Sequence, residues 1–247
     1  MAYDYKQRIR VVNEMLNSST EISNSTNISE ISNETDGRLT YENGIKGWVT
    51  SIFIDIVKSS ALFRDSKPKM VSKIIRVFSS EVIQILNDTK LFRKIGLRGD
   101  CVYGIFATPN VKDVHEVYEM AVQINTLKRM INERFIKSGF KSINYGIGVG
   151  CSEDLVIKVG RKKIVNDLVF IGKSVINAAN LSGIAARNGI KDIAIDETVY
   201  ENIREMETSR NNQWDNWVKY SSNTDIGMNY YHFNLVNVEF NNWIDKV

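Results

Sequence analysis

The sequence predicts an α+β fold, because extended apolar runs alternate with long segments of helical periodicity. In chain order, the predicted elements are a strand at 49–55, a helix from Pro68 to about residue 86, strands at 91–97 and 101–106, a helix at 111–137 and a strand at 142–150. This βαββαβ order is that of ferredoxin-like folds, in which helices cover one face of an antiparallel sheet. We expect the other face to be available for a partner or a ligand.

The first strand is a run of apolar residues that ends at Asp55, and Pro68 is typical of the first turn of a helix. The next two runs are short and closely spaced, which predicts a hairpin. Further elements of the same domain follow: a hairpin from residues 155–160 and 168–172, a helix that ends at Gly189, a strand at 190–196 and a short helix at 196–203 capped by Asp196.

Composition divides the 247 residues into four parts. Residues 1–16 have the apolar spacing of a short amphipathic helix, and residues 17–40 are rich in Asn, Ser and Thr, which predicts a flexible tether. Residues 48–204 form the predicted catalytic domain. Residues 205–247 are rich in aromatic residues, and the alternation at 230–240 predicts a final strand that packs on this domain.

Charge and cysteine content exclude some classes of protein. A net charge of +3 is too small to indicate nucleic-acid binding, and no apolar run approaches the roughly 20 residues of a membrane span. The two separated cysteines, Cys101 and Cys151, predict no disulfide framework, and the first residues lack the apolar segment of a signal peptide. We therefore expect a cytoplasmic protein.

Two aspartates are the strongest candidates for chemistry. Asp55 follows the first strand, and Asp100 lies between the two strands of the predicted hairpin. An aspartate in such a position is often only a turn or a helix cap, but two of them from neighbouring strands could hold hard divalent cations. Five residues after Asp55 could bind phosphate through amides that precede a helix: Ile56, Val57, Lys58, Ser59 and Ser60.

Three segments in order, FIDI (53–56), RGDCVYGIF (98–106) and DLVFIGKSVINAANL (167–181), resemble the class III nucleotide cyclase domain. The resemblance covers residues 48–204. It implies a nucleoside triphosphate substrate and a homodimer whose two sites lie across the interface, so that a second copy covers the open face of the sheet.

The same resemblance implies a metal site. Asp55 and Asp100 match the two metal-binding aspartates of the family, and Ile56 matches the residue that gives a backbone carbonyl ligand. Two ions of Mn²⁺ or Mg²⁺ would then assist attack of the ribose 3′ oxygen on the α-phosphorus, with pyrophosphate as the leaving group.

The purine-reading half of the site departs from the family. Gly96 stands where adenylate and guanylate cyclases have a lysine, and Val169 stands where they have a polar base-reading residue. Loss of a hydrogen-bonding partner affects discrimination more than loss of a methylene group. With its short length, the NDLVFIGK segment and the aromatic C-terminal part, the chain resembles the bacterial pyrimidine cyclases of the Pycsar anti-phage system.

That resemblance implies conversion of UTP or CTP to a cyclic nucleotide that a separate effector senses. We expect uridylate cyclase activity, and three alternatives stay open. They are a cytidylate cyclase, an adenylate or guanylate cyclase with an altered base pocket, and a catalytically silent dimerisation module.

The silent alternative is based on the helix after the later strand, where Ile176 and Asn180 replace an asparagine and a cationic residue of active family members. Asn177 is one place late and is a substrate-binding candidate together with Lys173. The candidates to supply the missing cation are Arg98, Lys173 and Arg187. Arg98 could reach phosphate or base, or form a salt bridge that only neutralises Asp100.

Other conspicuous residues have structural explanations. Trp48 and Phe53 are predicted to pack beside the first strand rather than to stack on a base. His115 and His232 have no paired spacing for a metal and are predicted to be surface or hydrogen-bonded core residues.

Overall fold

The computed structural model of the chain describes residues 3–26, 38–161 and 165–246. In these ranges the strands are β1 (Glu21–Asn24), β2 (Asn43–Ile56), β3 (Phe92–Arg98), β4 (Cys101–Ala107), β5 (Tyr145–Arg161), β6 (Val165–Ile171), β7 (Ile193–Asp196), β8 (Lys219–Asn223) and β9 (Met228–Phe233). The helices are α1 (Tyr5–Asn17), α2 (Ser59–Arg64), α3 (Pro68–Leu86), α4 (Val111–Lys137), α5 (Lys173–Ile184), α6 (Glu197–Arg210), α7 (Trp214–Trp217) and α8 (Val238–Ile244).

All of these strands belong to one sheet. Its order is β3-β4-β2-β5-β7-β9-β8, with β1 beside β2 and β6 beside β5. The central strand β2 is antiparallel to both β4 and β5. Strands β2, β3, β4 and β5 therefore have the order and direction of a ferredoxin-like βαββαβ unit, which confirms the predicted fold class.

One face of this sheet carries the main hydrophobic core. Ile52, Ile54 and Ile56 of β2 are at most 2% exposed and pack with residues of α3, α4 and α6. Because side chains alternate along a strand, Phe53 and Asp55 of β2 point to the opposite face. The alternation therefore directs the candidate metal ligand away from the core.

Helix α5 covers part of that opposite face, where we expected an open surface. It approaches β5 so closely that a Cβ atom on Gly146, Gly148 or Gly150 would lie 2.1–2.7 Å from backbone atoms of α5. The start of α5 is held by Asp154, whose carboxylate accepts a 2.6 Å hydrogen bond from the Ser174 hydroxyl. β6 also packs on this face through Leu168 and Phe170.

Two predicted boundaries on the N-terminal side of the domain were wrong. The segment 17–40 was predicted to be a tether, but β1 lies within it and pairs in parallel with β2 from Glu21↔Asn43 to Asn24↔Lys46. Residues 27–37 of this segment lie outside the described residues. β2 itself begins at Asn43, before the predicted domain boundary at residue 48.

Two predictions in the middle and at the end of the domain also need correction. β5 is a single strand of 17 residues, although we predicted two strands there. The predicted final strand at 230–240 ends at Phe233, and α8 follows it. Because β8 and β9 extend the sheet beyond β7, the C-terminal segment is part of the domain rather than only packed on it.

The aromatic and histidine predictions have mixed outcomes. Trp214 is 1% exposed in the core, but Trp48 is 45% exposed, so its predicted packing role was wrong. His115 is buried with its Nε2 atom 2.8 Å from Glu207 Oε1, and His232 accepts a hydrogen bond from the Lys191 amide, which confirms satisfied core roles. α1 is helical as predicted. None of the described helices is long and apolar enough to cross a membrane.

Candidate active site

The structure brings the two predicted metal-binding aspartates to the same end of the sheet. Asp55 pairs with Cys101 in the β2–β4 register, and Asp100 immediately precedes Cys101 in the β3–β4 turn. Gly99 opens this turn with φ +63°, a conformation that glycine adopts without strain. Burial raises the pKa of Asp55, Arg187 acts in the opposite direction, and the charge of Asp100 raises it again, so that the net pKa lies above its ordinary value.

Arg187 lies against the same oxygens that were predicted to bind metal. Its Nη2 atom is 2.6 Å from Asp55 Oδ2 and 3.4 Å from the Ile56 carbonyl oxygen. Its Nη1 atom donates to the carbonyl oxygens of Ser182 and Ala185 at 2.8 and 2.9 Å. Arg187 was one of three candidates for a compensating cation, and the structure places it beside Asp55.

The donor set fits a hard divalent cation. No group of three or more His, Cys, Asp or Glu side chains suited to a metal occurs in the described parts of the chain. With only two carboxylates, the third protein ligand would be the backbone carbonyl of Ile56. Mg²⁺ and Mn²⁺ accept such an all-oxygen set when water or phosphate supplies the other ligands. In this structure the positively charged guanidinium of Arg187 contacts two of these oxygens, Asp55 Oδ2 and the Ile56 carbonyl oxygen.

The predicted phosphate cradle is smaller than expected. The Val57 amide donates to the Asn144 carbonyl oxygen at 2.8 Å, just beyond the paired ends of β2 and β5, so it already has a backbone partner and was wrongly assigned to phosphate binding. Lys58 precedes the short helix α2 with a left-handed φ of 56°, and its carbonyl accepts from Ala61. The amides at residues 58–60 remain as candidates.

A cavity of about 460 Å³ lies along the same sheet face, and its lining includes Phe53 and Arg98, which lie two residues before Asp55 and Asp100. Phe53 and Tyr103 form one wall, with parallel-stacked rings whose centroids are 5.1 Å apart. A Cβ atom on Gly96 would lie 2.4 Å from the Tyr103 ring, so this ring takes the space that a side chain at position 96 would need. Val169 also lines the cavity, as its predicted role requires.

Lys94, which lines this cavity, and its ion-pair partner Asp167 were both missed by the sequence analysis. Lys94 Nζ is 2.5 Å from Asp167 Oδ2 and 3.2 Å from the Leu168 carbonyl oxygen. Lys94 lies two residues before Gly96, and Asp167 lies two residues before Val169. Because strand side chains repeat with a period of two, an offset of two preserves the face, and this was the signal that could have found the pair.

Arg98 also lines this cavity and is exposed. Among ion pairs between described residues, none joins Arg98 to Asp100, so the salt bridge that we considered as an alternative is not formed. The side chain is therefore available to a ligand in the cavity. Cys101 lies beside it, but burial raises the pKa of its thiol to about 12, which makes it a poor nucleophile.

Lys173 and Asn177 are not brought to the aspartates of the same chain. They line a second cavity of about 710 Å³ between α5, the start of α6 and the β8–β9 turn. Asn177 Nδ2 donates to Asp196 Oδ2 at 2.9 Å. Since a helix rises about 1.5 Å per residue, Lys173 lies roughly 13 Å along α5 from Ser182, which holds Arg187 near Asp55. Within one chain, the predicted substrate-binding residues Lys173 and Asn177 are therefore separated from the aspartates.

Comparisons with known proteins agree with this architecture. The family profile of the adenylate and guanylate cyclase catalytic domain matches residues 42–230. A protein named uridylate cyclase from Treponema porcinum is 40% identical over 251 aligned positions, which cover 100% of this chain and 82% of that protein. A uridylate cyclase from Gulbenkiania mobilis is 26% identical, with 99% of this chain and 97% of that protein covered.

Solved structures show the same fold. The adenylyl cyclase CyaB from P. aeruginosa aligns with a TM-score of 0.64 and 16% identity, covering 79% of this chain and 97% of that chain. The guanylyl cyclase Cya2 aligns with a TM-score of 0.63 and 16% identity, covering 80% and 97%. At such identities the structures show the fold alone, but the family profile covers more than half of the chain. The chain therefore belongs to the family of class III adenylate and guanylate cyclase catalytic domains.

Proposed function

We propose that the protein is a pyrimidine nucleotide cyclase that converts UTP to 3′,5′-cyclic UMP and pyrophosphate. Two relatives named uridylate cyclase, at 40% and 26% identity over nearly the whole chain, support this substrate class. A cytidylate cyclase is the alternative, because uracil and cytosine have the same ring size and differ only in hydrogen-bonding groups.

The observation that carries the proposal is the Tyr103 ring packed across Gly96. Together with Phe53 it forms an aromatic wall of the 460 Å³ cavity. This ring fills the space where a purine-reading side chain would stand, which favours the smaller pyrimidine ring. Arg98 and Lys94 line this cavity and would supply hydrogen-bond donors for the polar edge of the base.

The reaction joins the ribose 3′ oxygen to the α-phosphorus as the bond to pyrophosphate breaks. Asp55, Asp100 and the Ile56 carbonyl would hold Mn²⁺ or Mg²⁺, two ions per site. When bound, these ions would lower the pKa of the 3′ hydroxyl and neutralise charge on the triphosphate. The amides of residues 58–60 would contact the phosphates, and Arg98 would add positive charge near the base end.

A homodimer would complete the site. Lys173 and Asn177 lie in the first half of α5, away from Asp55, and line the second cavity. In a two-fold dimer these residues would contact the nucleotide held by the aspartates of the partner. Ile176 and Asn180 line both cavities. Because neither side chain carries a charge, the cation of active family members would have to come from another residue.

The cellular role follows from the product. A cyclic pyrimidine nucleotide made in the cytoplasm would act as a second messenger for a separate effector that senses it, and we propose anti-phage defence as the setting.

The test is to incubate the purified protein with each of the four nucleoside triphosphates and Mn²⁺ or Mg²⁺, and to identify cyclic products by mass spectrometry. We expect cyclic UMP as the main product. Asp55→Asn and Asp100→Asn should each lower its formation by at least about 10³-fold, because they remove metal ligands. Cyclic AMP or cyclic GMP as the main product, or no product from any triphosphate, would contradict the proposal.

A further inference from the structure

We infer that Arg187 is a built-in cation that occupies the metal-binding oxygens and must be displaced before a divalent metal can bind. The inference rests on the proposed function only in taking Asp55 and Ile56 as metal ligands. It adds a regulatory contact to that site, because the protein without metal holds its own carboxylate in an internal ion pair.

The geometry supports competition rather than coexistence. One nitrogen of Arg187 contacts two candidate metal ligands, at 2.6 Å from Asp55 Oδ2 and 3.4 Å from the Ile56 carbonyl oxygen. A divalent ion bound to the same two oxygens would lie within a few ångströms of the guanidinium, where repulsion between the two cations is strong. The side chains of Arg187 and Asp55 are 23% and 30% exposed, so solvent screens this repulsion only in part.

The backbone holds Arg187 in place. Its other terminal nitrogen donates to the carbonyls of Ser182 and Ala185 at the end of α5. The residues on either side, Ala186 and Asn188, have left-handed φ values of 58° and 50°. The guanidinium therefore has fixed partners besides Asp55. We expect it to leave the Asp55 carboxylate only when another cation competes for that carboxylate.

The Asp55 environment contains both signs of charge. Asp100 and Arg187 are the charged groups that act most strongly on Asp55. A divalent ion would bind both carboxylates, whereas Arg187 forms its ion pair with the carboxylate of Asp55. The metal is therefore expected to win at sufficient concentration, and Arg187 sets how much is needed.

The experiment measures Mn²⁺ binding to the full chain without nucleotide, from the loss of the free-ion electron paramagnetic resonance signal. We expect Arg187→Met to bind Mn²⁺ about tenfold more tightly than the wild type, within the range usual for coupling between two binding events. Lys191→Met is the matched control, because it removes a positive charge from an exposed side chain in the same loop. It should leave Mn²⁺ affinity unchanged.

Weaker or unchanged binding by Arg187→Met would overturn the inference and show that Arg187 instead positions Asp55. Tighter binding by Lys191→Met to the same extent would also overturn it, since the effect would then come from net charge alone.

A second measurement uses the wild-type chain, so it does not depend on the folding of a variant. The Arg187 side-chain NH resonances are followed by nuclear magnetic resonance during a Mg²⁺ titration. We expect loss of their protection from solvent exchange as Mg²⁺ saturates the site. Full protection at saturation would overturn the inference. Neither readout needs turnover, so failure of the UTP assay and failure of this inference are distinguishable.

Discussion

At the scale of single residues, Tyr103 determines how much space the candidate base cavity has. Its ring can lie where it does because position 96 has no side chain, and it stacks on Phe53 at a ring angle of 14°. Gly96, which departs from the purine-cyclase pattern in the sequence, therefore leaves the space that the Tyr103 ring occupies. An aromatic ring from the neighbouring strand replaces a lysine.

This arrangement predicts that Tyr103→Ala relaxes base selectivity. Loss of the ring should make space for a purine. Because size discrimination in an apolar pocket is worth about 10- to 200-fold, the ratio of kcat/KM for UTP to kcat/KM for ATP should decrease by a factor in that range. Steady-state kinetics with both substrates measure the ratio. Tyr103→Phe retains the ring and should retain the ratio, and an unchanged ratio in Tyr103→Ala would contradict the proposed role of the ring.

At the scale of elements, α5 connects the two ends of the site. Its N-terminal half lines the second cavity, and its C-terminal end holds Arg187 beside Asp55. The helix lies this close to β5 only because three glycines alternate along the strand.

Gly148→Ala tests this packing. The added Cβ would lie 2.1 Å from the Ala178 carbonyl oxygen and 2.3 Å from the Ser182 amide, and backbone atoms have little freedom to move away. We expect the free energy of unfolding to fall by about 3 kcal/mol or more in urea denaturation.

Gly183→Ala is the matched control for that substitution. Gly183 lies in α5 itself, and a Cβ there would have no atom within 4 Å. The change should raise stability by about 0.5 kcal/mol through the better helix propensity of alanine. Equal effects of the two substitutions would rule out the close approach as the reason for the glycine.

The N-cap of α6 predicts a pH dependence. Burial raises the pKa of Asp196 from 3.8 to about 6, although hydrogen bonds from Asn177, Val199 and Cys151 act in the opposite direction. Between about pH 4 and pH 6, Asp196 is therefore protonated in the folded chain and ionised in the unfolded chain. The contribution of Asp196 to stability is therefore full below about pH 4 and falls by up to about 3 kcal/mol as the pH rises past 6.

Urea denaturation of the wild type and Asp196→Asn across this pH range isolates that contribution. The stability of the wild type relative to the variant should decrease as pH rises. A difference that is constant with pH would mean that the folded and unfolded pKa values are equal.

At the scale of the whole molecule, the chain presents two incomplete halves of a site. Asp55 lies near the C-terminal end of α5 through its contact with Arg187, whereas Lys173 and Asn177 lie in the first half of this helix and line the second cavity. The aromatic cavity lies between them along α5, because Ile176 and Asn180 line both cavities. A two-fold dimer that joins unlike halves would form two equivalent sites.

Mixing of two inactive variants tests this assembly. Asp55→Asn damages the metal half and Asn177→Ala the other, so a heterodimer of the two has one intact site. If subunits exchange at random, the mixture should recover about a quarter of the wild-type rate of cyclic UMP formation. Each variant alone is the control. Full activity of Asn177→Ala alone, or a mixture no more active than its parts, would contradict a site shared between chains.

The sequence by itself determined the ferredoxin-like order and the proximity of Asp55 and Asp100. The order follows from apolar periodicity, which sets the type of each element. The proximity follows from the ferredoxin-like topology, which places the first and third strands of the unit, β2 and β4, side by side. Local reasoning also divided β5 into two strands, because the polar residues 152–154 interrupt its apolar run. Asp154 is buried there because its carboxylate accepts a hydrogen bond from Ser174 at the start of α5.

Only the tertiary structure decided which side chains meet across long separations. Arg187 reaches Asp55 from 132 positions away, and Lys94 reaches Asp167 from 73. Such contacts depend on the angle and distance at which α5 and β6 pack on the sheet, and no periodicity within a segment encodes them. The pattern of strands and helices could therefore be predicted from the sequence, whereas the ion pair of Arg187 with Asp55 and the shape of the cavity beside Tyr103 were set by packing.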